Sequence, residues 1–203
     1  MFTGIVQGTA EVLAIEPADK FVSLQLAFPE RSSSGFSIGA SIALNGTCLT
    51  VRSFEANRVW FDAIASTLEL SNLSDLKPGS KVNFERAAKI GDEIGGHLMS
   101  GHIIDTIKVT AIDRTATNCC ISFERPKKYA RYLLDKGFVG LNGCSLTMTD
   151  VSDDSFSVWL IPETLERTLF GTAEVGTRIN LEIDPQTQAI VDTVEQYLSS
   201  RAS

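Results

Sequence analysis

Basic side chains are the first shortage in this chain. Eighteen Lys and Arg stand against 25 Asp and Glu in 203 residues, a net charge of -7. Binding to a phosphate backbone runs on clustered cations that release counterions, so nucleic acid is excluded as a partner. Long hydrophobic runs are also missing. Gly, Asn, Ser or a charge interrupts every apolar stretch well short of the ~20 residues a membrane span requires, and Met1-Phe2-Thr3-Gly4 has no basic signal-peptide start. A soluble, unprocessed chain without a membrane partner is expected. Cysteine is sparse, at four. Cys48, the adjacent Cys119 and Cys120, and Cys144 form no C-x-x-C pair, which argues against a disulfide framework or zinc knuckle and for reduced thiols in the cytoplasm. Sequences matching G-x-G-x-x-G, G-x-x-x-x-G-K-[ST] or H-E-x-x-H are absent, removing the usual signals of nucleotide cofactors and helical zinc sites. With 43% hydrophobic and 21% charged residues, what remains is an ordinary globular chain.

That chain repeats itself. Leu44-Asn45-Gly46-Thr47-Cys48-Leu49-Thr50 returns as Leu141-Asn142-Gly143-Cys144-Ser145-Leu146-Thr147, so that Asn45 falls on Asn142, a shift of 97 positions. The same shift carries Gly4 onto Gly101, Val12 onto Val109, Pro29 onto Pro126, Thr67-Leu68-Glu69 onto Thr164-Leu165-Glu166, Asn83 onto Asn180 and Glu85 onto Glu182, without a gap. A single register held over that length reads as a duplicated domain.

Within each copy the dominant period is two. Val22, Leu24, Leu26 and Phe28 alternate with polar or small residues, as do Val82 and Phe84 with Asn83 and Glu85, and Ile179, Leu181 and Ile183 with Asn180 and Glu182. This is the pattern of half-buried strands. The Asn-Gly pairs at 45–46 and 142–143 and the Lys77-Pro78-Gly79 stretch mark tight turns. Several short strands per copy predict a small closed antiparallel barrel, because closure removes exposed edges. Helices are few: Pro126 to Leu134 has Pro at a first-turn position and Gly137 as a stop. Thr187 to Leu198 puts Ile190, Val191, Val194, Tyr197 and Leu198 on one stripe, which either its own chain or another subunit must cover.

Candidate chemistry lies in four places. Gly35-Phe36-Ser37-Ile38-Gly39 has the form of a nucleophile elbow, but Ser32-Ser33-Ser34 precedes it and a strand-like stretch follows, where an elbow needs a strand and then a helix; a loop is expected. His97 and His102, the two histidines, lie in a glycine-rich segment joining the copies. A metal there would need Cys48 or an Asp as a further ligand, and the pair reads better as ligand-binding or proton-handling groups. Cys48 and Ser145 occupy the same repeat position after the Asn-Gly turn, and period two sends Cys48 and Thr50 to one side. If that side is a pocket mouth, each copy offers one site and the two sites are unequal. Ile64-x-x-Thr67 and Ile161-x-x-Thr164 offer an apolar surface with a hydroxyl, or simply a strand end and a cap.

Taken together, Met1-Phe2-Thr3-Gly4-Ile5-Val6, Asn45 to Val51, Gly95-Gly96-His97-Leu98-Met99-Ser100-Gly101-His102, Gly143 to Thr147 and Ile161-Pro162-Glu163-Thr164-Leu165 closely resemble the alpha-type riboflavin synthases, from Met1 to the terminal helix. The resemblance implies an all-β fold of two tandem six-stranded Greek-key barrels and a C-terminal helix, with boundaries at 1–97, 98–186 and 187–203. It implies a cofactor-free, metal-free transferase that moves a four-carbon unit between two molecules of 6,7-dimethyl-8-ribityllumazine, giving riboflavin and 5-amino-6-(ribitylamino)uracil. A homotrimer is implied, with the reactive pair between the N-barrel of one subunit and the C-barrel of the next, and lumazine synthase is a candidate pathway partner. The lumazine-binding fluorescent proteins of luminous bacteria, which are similar in fold and non-catalytic, supply the alternative of a lumazine or flavin carrier.

Carried over by motif, the first pocket comprises Cys48, Leu49 and Thr50 with Asp62, Ala63, Ile64, Ala65, Ser66 and Thr67, closed by Gly101, His102 and Ile103. The second comprises Ser145, Leu146 and Thr147 with Ile161, Pro162, Glu163, Thr164 and Leu165, crossed by Gly4, Ile5 and Val6, while Lys136 reaches in from another subunit. Phe2, Cys48, His102, Ser145 and Asp184 are the residues implied in turnover. Asn142 where the family often has Asp, and Met148 where Val is usual, are mild departures that preserve the turn and the apolar strand.

Overall fold

The computed structural model describes residues 1–115 and 118–201; positions 202 and 203, the end of the expected helical tail, lie outside the described residues. The first copy forms β1 (Gly8–Pro17), β2 (Phe21–Ala27), β3 (Ser41–Leu44), β4 (Thr47–Glu55), β5 (Arg58–Ile64) and β6 (Lys81–Arg86), closed into an antiparallel barrel in the order β1-β2-β5-β4-β3-β6. The second forms β7 (Asp105–Arg114), β8 (Cys119–Glu124), β9 (Phe138–Leu141), β10 (Cys144–Thr147), β11 (Ser155–Leu160) and β12 (Arg178–Ile183), in the order β10-β9-β12-β7-β8-β11. This is the same ring of neighbours cut between β10 and β11. Closure was expected of both copies: the first barrel is closed and the second nearly so, with a single Thr149–Ser157 bridge spanning the cut. β10 ends at Thr147, and beyond the bridge Asp150 adopts φ +51°, a left-handed conformation that Asp tolerates. Its counterpart Ser53 stays within β4, just past a bulge.

The alternation places Leu24, Leu26, Phe28, Val82 and Phe84 inside the first barrel and Ile179, Leu181 and Ile183 inside the second. Each interior has its own aromatic cluster, around Phe28, Phe61 and Phe84 in one and Phe123, Phe156 and Phe170 in the other. On β6 and β12, however, the half-buried reading fails. Asn83, Glu85, Asn180 and Glu182 are all at most 3% exposed, because the outer faces of these two strands meet in a seam between the barrels.

The Asn-Gly turns sit in that seam. Asn45 and Gly46 have φ of +46° and +80°, and Asn142 and Gly143 have +45° and +83°, as a two-residue hairpin with both central residues left-handed requires. Asn83 Nδ2 donates to the Asn142 carbonyl at 2.9 Å, and Asn180 Nδ2 donates to the Asn45 carbonyl at 2.8 Å. Their backbone amides take the side-chain oxygens of Asn45 and Asn142 in their own barrels, each at 2.8 Å. The four buried asparagines thus bond across an approximate two-fold axis, joined by buried Asn72, which accepts from Asn45 Nδ2 at 3.1 Å and donates to Asn142 Oδ1 at 3.0 Å, and such pairing is how buried polar groups escape a desolvation penalty.

The helices depart from expectation in detail. The stretch predicted from Pro126 to Leu134 is a 3-10 helix over Lys127–Tyr132, with Pro126 as its cap rather than its first turn. Arg125 Nη2 draws in the Ala130 and Leu133 carbonyls at 2.7 and 3.0 Å, tightening the turn. Two short helices, α1 (Ala65–Leu70) and α2 (Pro162–Arg167), follow the matched strands β5 and β11. The terminal helix α3 runs Pro185–Arg201, longer at both ends than the stripe indicated. It touches its own chain through polar groups, with Tyr132 Oη donating to Asp192 at 2.5 Å and Arg131 facing Asp192 and Glu195. Ile190, Val194, Tyr197 and Leu198 of its stripe are each at least 50% exposed.

Candidate functional site

Two hollows on the outer walls of the barrels are built from matched positions. Pocket one, of about 170 Å³, is lined by Thr47, Cys48, Ser66, Thr67, Leu70, Gly101, His102 and Ile103. Pocket two, of about 360 Å³, contains the 97-shifted counterpart of every one of these: Cys144, Ser145, Glu163, Thr164, Arg167, Gly4, Ile5 and Val6. The local reasons are the same in each. Period two turns Leu49 and Val51 into the core and leaves Cys48 half-buried and Thr50 exposed on the outer face of β4. Helix α1 or α2 then brings its hydroxyl, Thr67 or Thr164, over that face. Gly101 and Gly4, at φ of +80° and +75°, let the crossing segment lie flat on Cys48 or Ser145. A Cβ on either glycine would sit 2.6 Å from Cys48 Cβ or 2.4 Å from Ser145 Cβ.

The matched positions are chemically unequal. Pocket one carries a thiol and the exposed imidazole of His102, whose ring makes no hydrogen bond among the described residues. Pocket two has Ile5 in the place of His102, and an ion pair between Arg167 and Glu163 on its rim where pocket one has Leu70 and Ser66. Burial pushes the Cys144 thiol far above its ordinary range, so this pocket-two sulfur is a neutral filler.

Ser145 has a partner that sequence reading left out of the site set. His97 is 7% exposed, stacks on Phe138 with ring centroids 5.1 Å apart, and brings Nδ1 to 2.7 Å and its backbone N–H to 3.2 Å from Ser145 Oγ. Burial lowers its pKa and so favours the neutral imidazole, opposed by the nearby Asp184 carboxylate. The signal was the glycine pair before His97: a Cβ on Gly96 would meet Thr3 O at 2.2 Å and Ser145 Oγ at 2.8 Å, so the backbone there packs directly on the serine. Leu70 and Arg167 were also missed, since their helices are too short to announce a face.

Of the other expected site residues, most lie outside the two hollows. Ala63 and Leu49 turn their side chains into the first core, at 0% and 5% exposure, and line neither pocket. Phe2, at 1% exposure, packs with Met99 and Ala43 in a small cluster of its own, where it supports the crossing segments without reaching a pocket. Asp62 is held by Ser23 Oγ at 2.7 Å and Arg52 at 3.1 Å. Thr50, Thr147, Ile64, Ala65, Pro162 and Leu165 line neither hollow, Leu165 packing on the second core; Ile161 and Leu146 line pocket two, and Lys136 stands apart at a left-handed turn with φ +62°. Asp184 caps α3, accepting from the Thr187 hydroxyl at 2.6 Å and the Thr187 amide at 2.9 Å. Burial disfavours its charge, but these bonds and His97 outweigh burial and hold the carboxyl below its usual range. The Gly35–Gly39 motif is a loop leading into β3, so the elbow geometry is not formed.

Fold and hollows together define a tandem-barrel protein with two related hollows. Comparison with known proteins narrows this. The lumazine binding domain family matches twice, over residues 3–87 and 100–184. The riboflavin synthase of Escherichia coli (strain K12) is 50% identical over 202 residues, spanning 99% of this chain and 95% of that protein. The riboflavin synthase of Chlamydia pneumoniae is 40% identical over 200 residues, with 98% of each covered. Crystal structures of LumP complexed with 6,7-dimethyl-8-(1'-D-ribityl) lumazine and with riboflavin superpose with TM-scores of 0.81 and 0.83, at 26% and 27% identity, each covering 90% of this chain and 99% of the other. The chain belongs to the lumazine binding domain family, among its riboflavin synthases.

Proposed function

We propose that this protein catalyses the dismutation of two molecules of 6,7-dimethyl-8-ribityllumazine to riboflavin and 5-amino-6-(ribitylamino)uracil, one lumazine in each pocket. The observation that carries the reading is the one-for-one match of the pocket linings: two related hollows suit a reaction between two identical molecules. The atoms of two lumazines equal those of the two products, so the transfer calls for no oxidant and no group carrier. Holding both rings in reacting geometry supplies much of the acceleration. In this reading His102 removes a proton from the acidified C7 methyl of one lumazine. Ser145, hydrogen-bonded to His97, faces the second ring as the candidate transient nucleophile. Cys48 and the threonines Thr67 and Thr164 orient the ligands, and Phe2 and Asp184 act through the segments they brace.

The uncovered stripe on α3 supports a homotrimer joined through these helices, in which Lys136 of one subunit reaches the site of another and pocket one of one chain faces pocket two of the next. No helix among the described residues is long and apolar enough to cross a membrane, and a cytoplasmic enzyme is the corresponding proposal. Truncation after Pro185 should give a monomer in sedimentation velocity; a trimer that persists rules out the helix seam. The activity itself is tested by giving the pure protein the lumazine alone. Riboflavin should accumulate over many turnovers without added cofactor, whereas lumazine that stays bound and unconverted identifies a carrier instead.

A further inference from the structure

We propose that each pocket is shaped by a buried carboxylate of the opposite barrel: Glu182 of the second barrel positions the Gly101–Ile103 wall of pocket one, and Glu85 of the first barrel positions the Gly4–Val6 wall of pocket two. Both glutamates are positioning residues, and the proposal concerns the pocket walls whatever ligand they take.

The contacts cross the seam twice, in the same pattern. Glu182 Oε1 accepts from Ser100 N at 2.7 Å, Ser100 Oγ at 2.8 Å and Gly101 N at 3.0 Å. The Gly101 carbonyl, on the other side of the same residue, accepts from Cys48 N of the first barrel at 2.8 Å. In the matched half, Glu85 accepts from Thr3 N at 2.7 Å, Thr3 Oγ1 at 2.8 Å and Gly4 N at 3.0 Å, and the Gly4 carbonyl accepts from Ser145 N of the second barrel at 2.9 Å. A chain of two bonds therefore runs from each carboxylate to the residue that opens the other barrel's pocket.

Neither crossing segment belongs to a strand of a barrel. They also hold each other through the Phe2–Met99 bridge and meet the sheets on either side, at Gln7 N to the Phe84 carbonyl, Ile104 N to the Leu181 carbonyl and His97 to Ser145, but at the glycines that wall the pockets the carboxylate is the tie to the opposite barrel. Charge-assisted bonds to a carboxylate are the strong class of protein hydrogen bond, and both groups are almost fully enclosed, at 3% and 1% exposure. Burial raises the pKa of each, against the bonds from the segment that favour the charged form.

The two halves differ in one atom. Glu85 uses both oxygens, Oε1 for Thr3 and Oε2 for Gly4. Glu182 uses Oε1 alone, and its Oε2 is buried with no partner among the described residues. A glutamine keeps one carboxamide oxygen and replaces the other with a donor. At 182 that donor falls where nothing is accepted; at 85 it opposes the Gly4 N–H. Glu182→Gln should therefore leave its wall in place, and Glu85→Gln should not.

Hydrogen exchange of the full chain, read by mass spectrometry on peptides covering 47–50 and 144–147, tests this directly. With Glu182→Ala, exchange at Cys48 should speed up by about tenfold or more while Ser145 keeps its protection; with Glu85→Ala the pattern should reverse. With the glutamine variants, which preserve side-chain volume if the alanine variants do not fold, Glu85→Gln should still expose Ser145 and Glu182→Gln should restore Cys48 to its original rate. Faster exchange confined to each glutamate's own barrel, or equal in both pockets, overturns the proposal, as does a Glu182→Gln chain no better protected at Cys48 than Glu85→Gln is at Ser145.

Discussion

Replacing His102 with glutamine should lower kcat by about 10²- to 10⁴-fold while leaving KM for the lumazine nearly unchanged, the signature of a lost proton-transfer group rather than a lost binding contact. The structure supplies the reasons for so large an effect. His102 lines pocket one beside Cys48, its ring is exposed to a ligand, and the register that relates the pockets puts Ile5 in its place in pocket two. His97 is no substitute: it is buried, and its Nδ1 is already engaged by Ser145. Steady-state kinetics, with lumazine affinity measured separately, decide the point. Full turnover at normal affinity would remove His102 from the role of base.

The second large effect is on stability. Gly46→Ala should cost about 3–4 kcal/mol, since a left-handed non-glycine residue is strained by roughly 1–2 kcal/mol and the new methyl meets immovable backbone. That Cβ would lie 2.7 Å from Gly143 N and 3.0 Å from Gly143 Cα, and Gly143→Ala meets Gly46 in the same way at 2.8 and 3.1 Å. Asn83 and Asn180 tie these turns across the seam, so neither can retreat without breaking a buried hydrogen bond. Gly79→Ala is the control: its φ of +89° carries the backbone strain, but no atom lies within 4 Å of the new Cβ, and a loss of about 1 kcal/mol is expected. Denaturant midpoints for the three variants measure the difference. A Gly46→Ala chain as stable as Gly79→Ala would mean that the two turns do not meet.

The halves of this architecture differ in how far the amino-acid order reveals them. The duplication was readable because Leu-Asn-Gly and the residues after it recur in one register, and the Asn-Gly turns because few other pairs accept two left-handed residues in succession. The equivalence of Cys48 and Ser145 followed from the same register. What alternation hid is the seam. Asn83, Glu85, Asn180 and Glu182 look like solvent-facing positions because a polar residue every second place ordinarily faces water; only the second barrel, present in the same chain, makes that face an interior. His97 and Ser145 are 48 positions apart, beyond any periodicity, and the matched six-residue helices α1 and α2 are less than two turns long, so Leu70 and Arg167 gave no stripe. The cut in the second barrel was not legible either: β10 stops at Thr147 where its counterpart β4 runs on to Glu55, although the residues after Thr147 read as strand.

Equilibrium binding of a non-reacting lumazine analogue to the intact chain, followed by calorimetry, tests the two-pocket account most directly. Two molecules bound per chain, with unequal affinities reflecting His102 and Cys48 in one pocket against Ile5, Ser145 and the Arg167–Glu163 pair in the other, is the predicted result; saturation at one molecule per chain would contradict it.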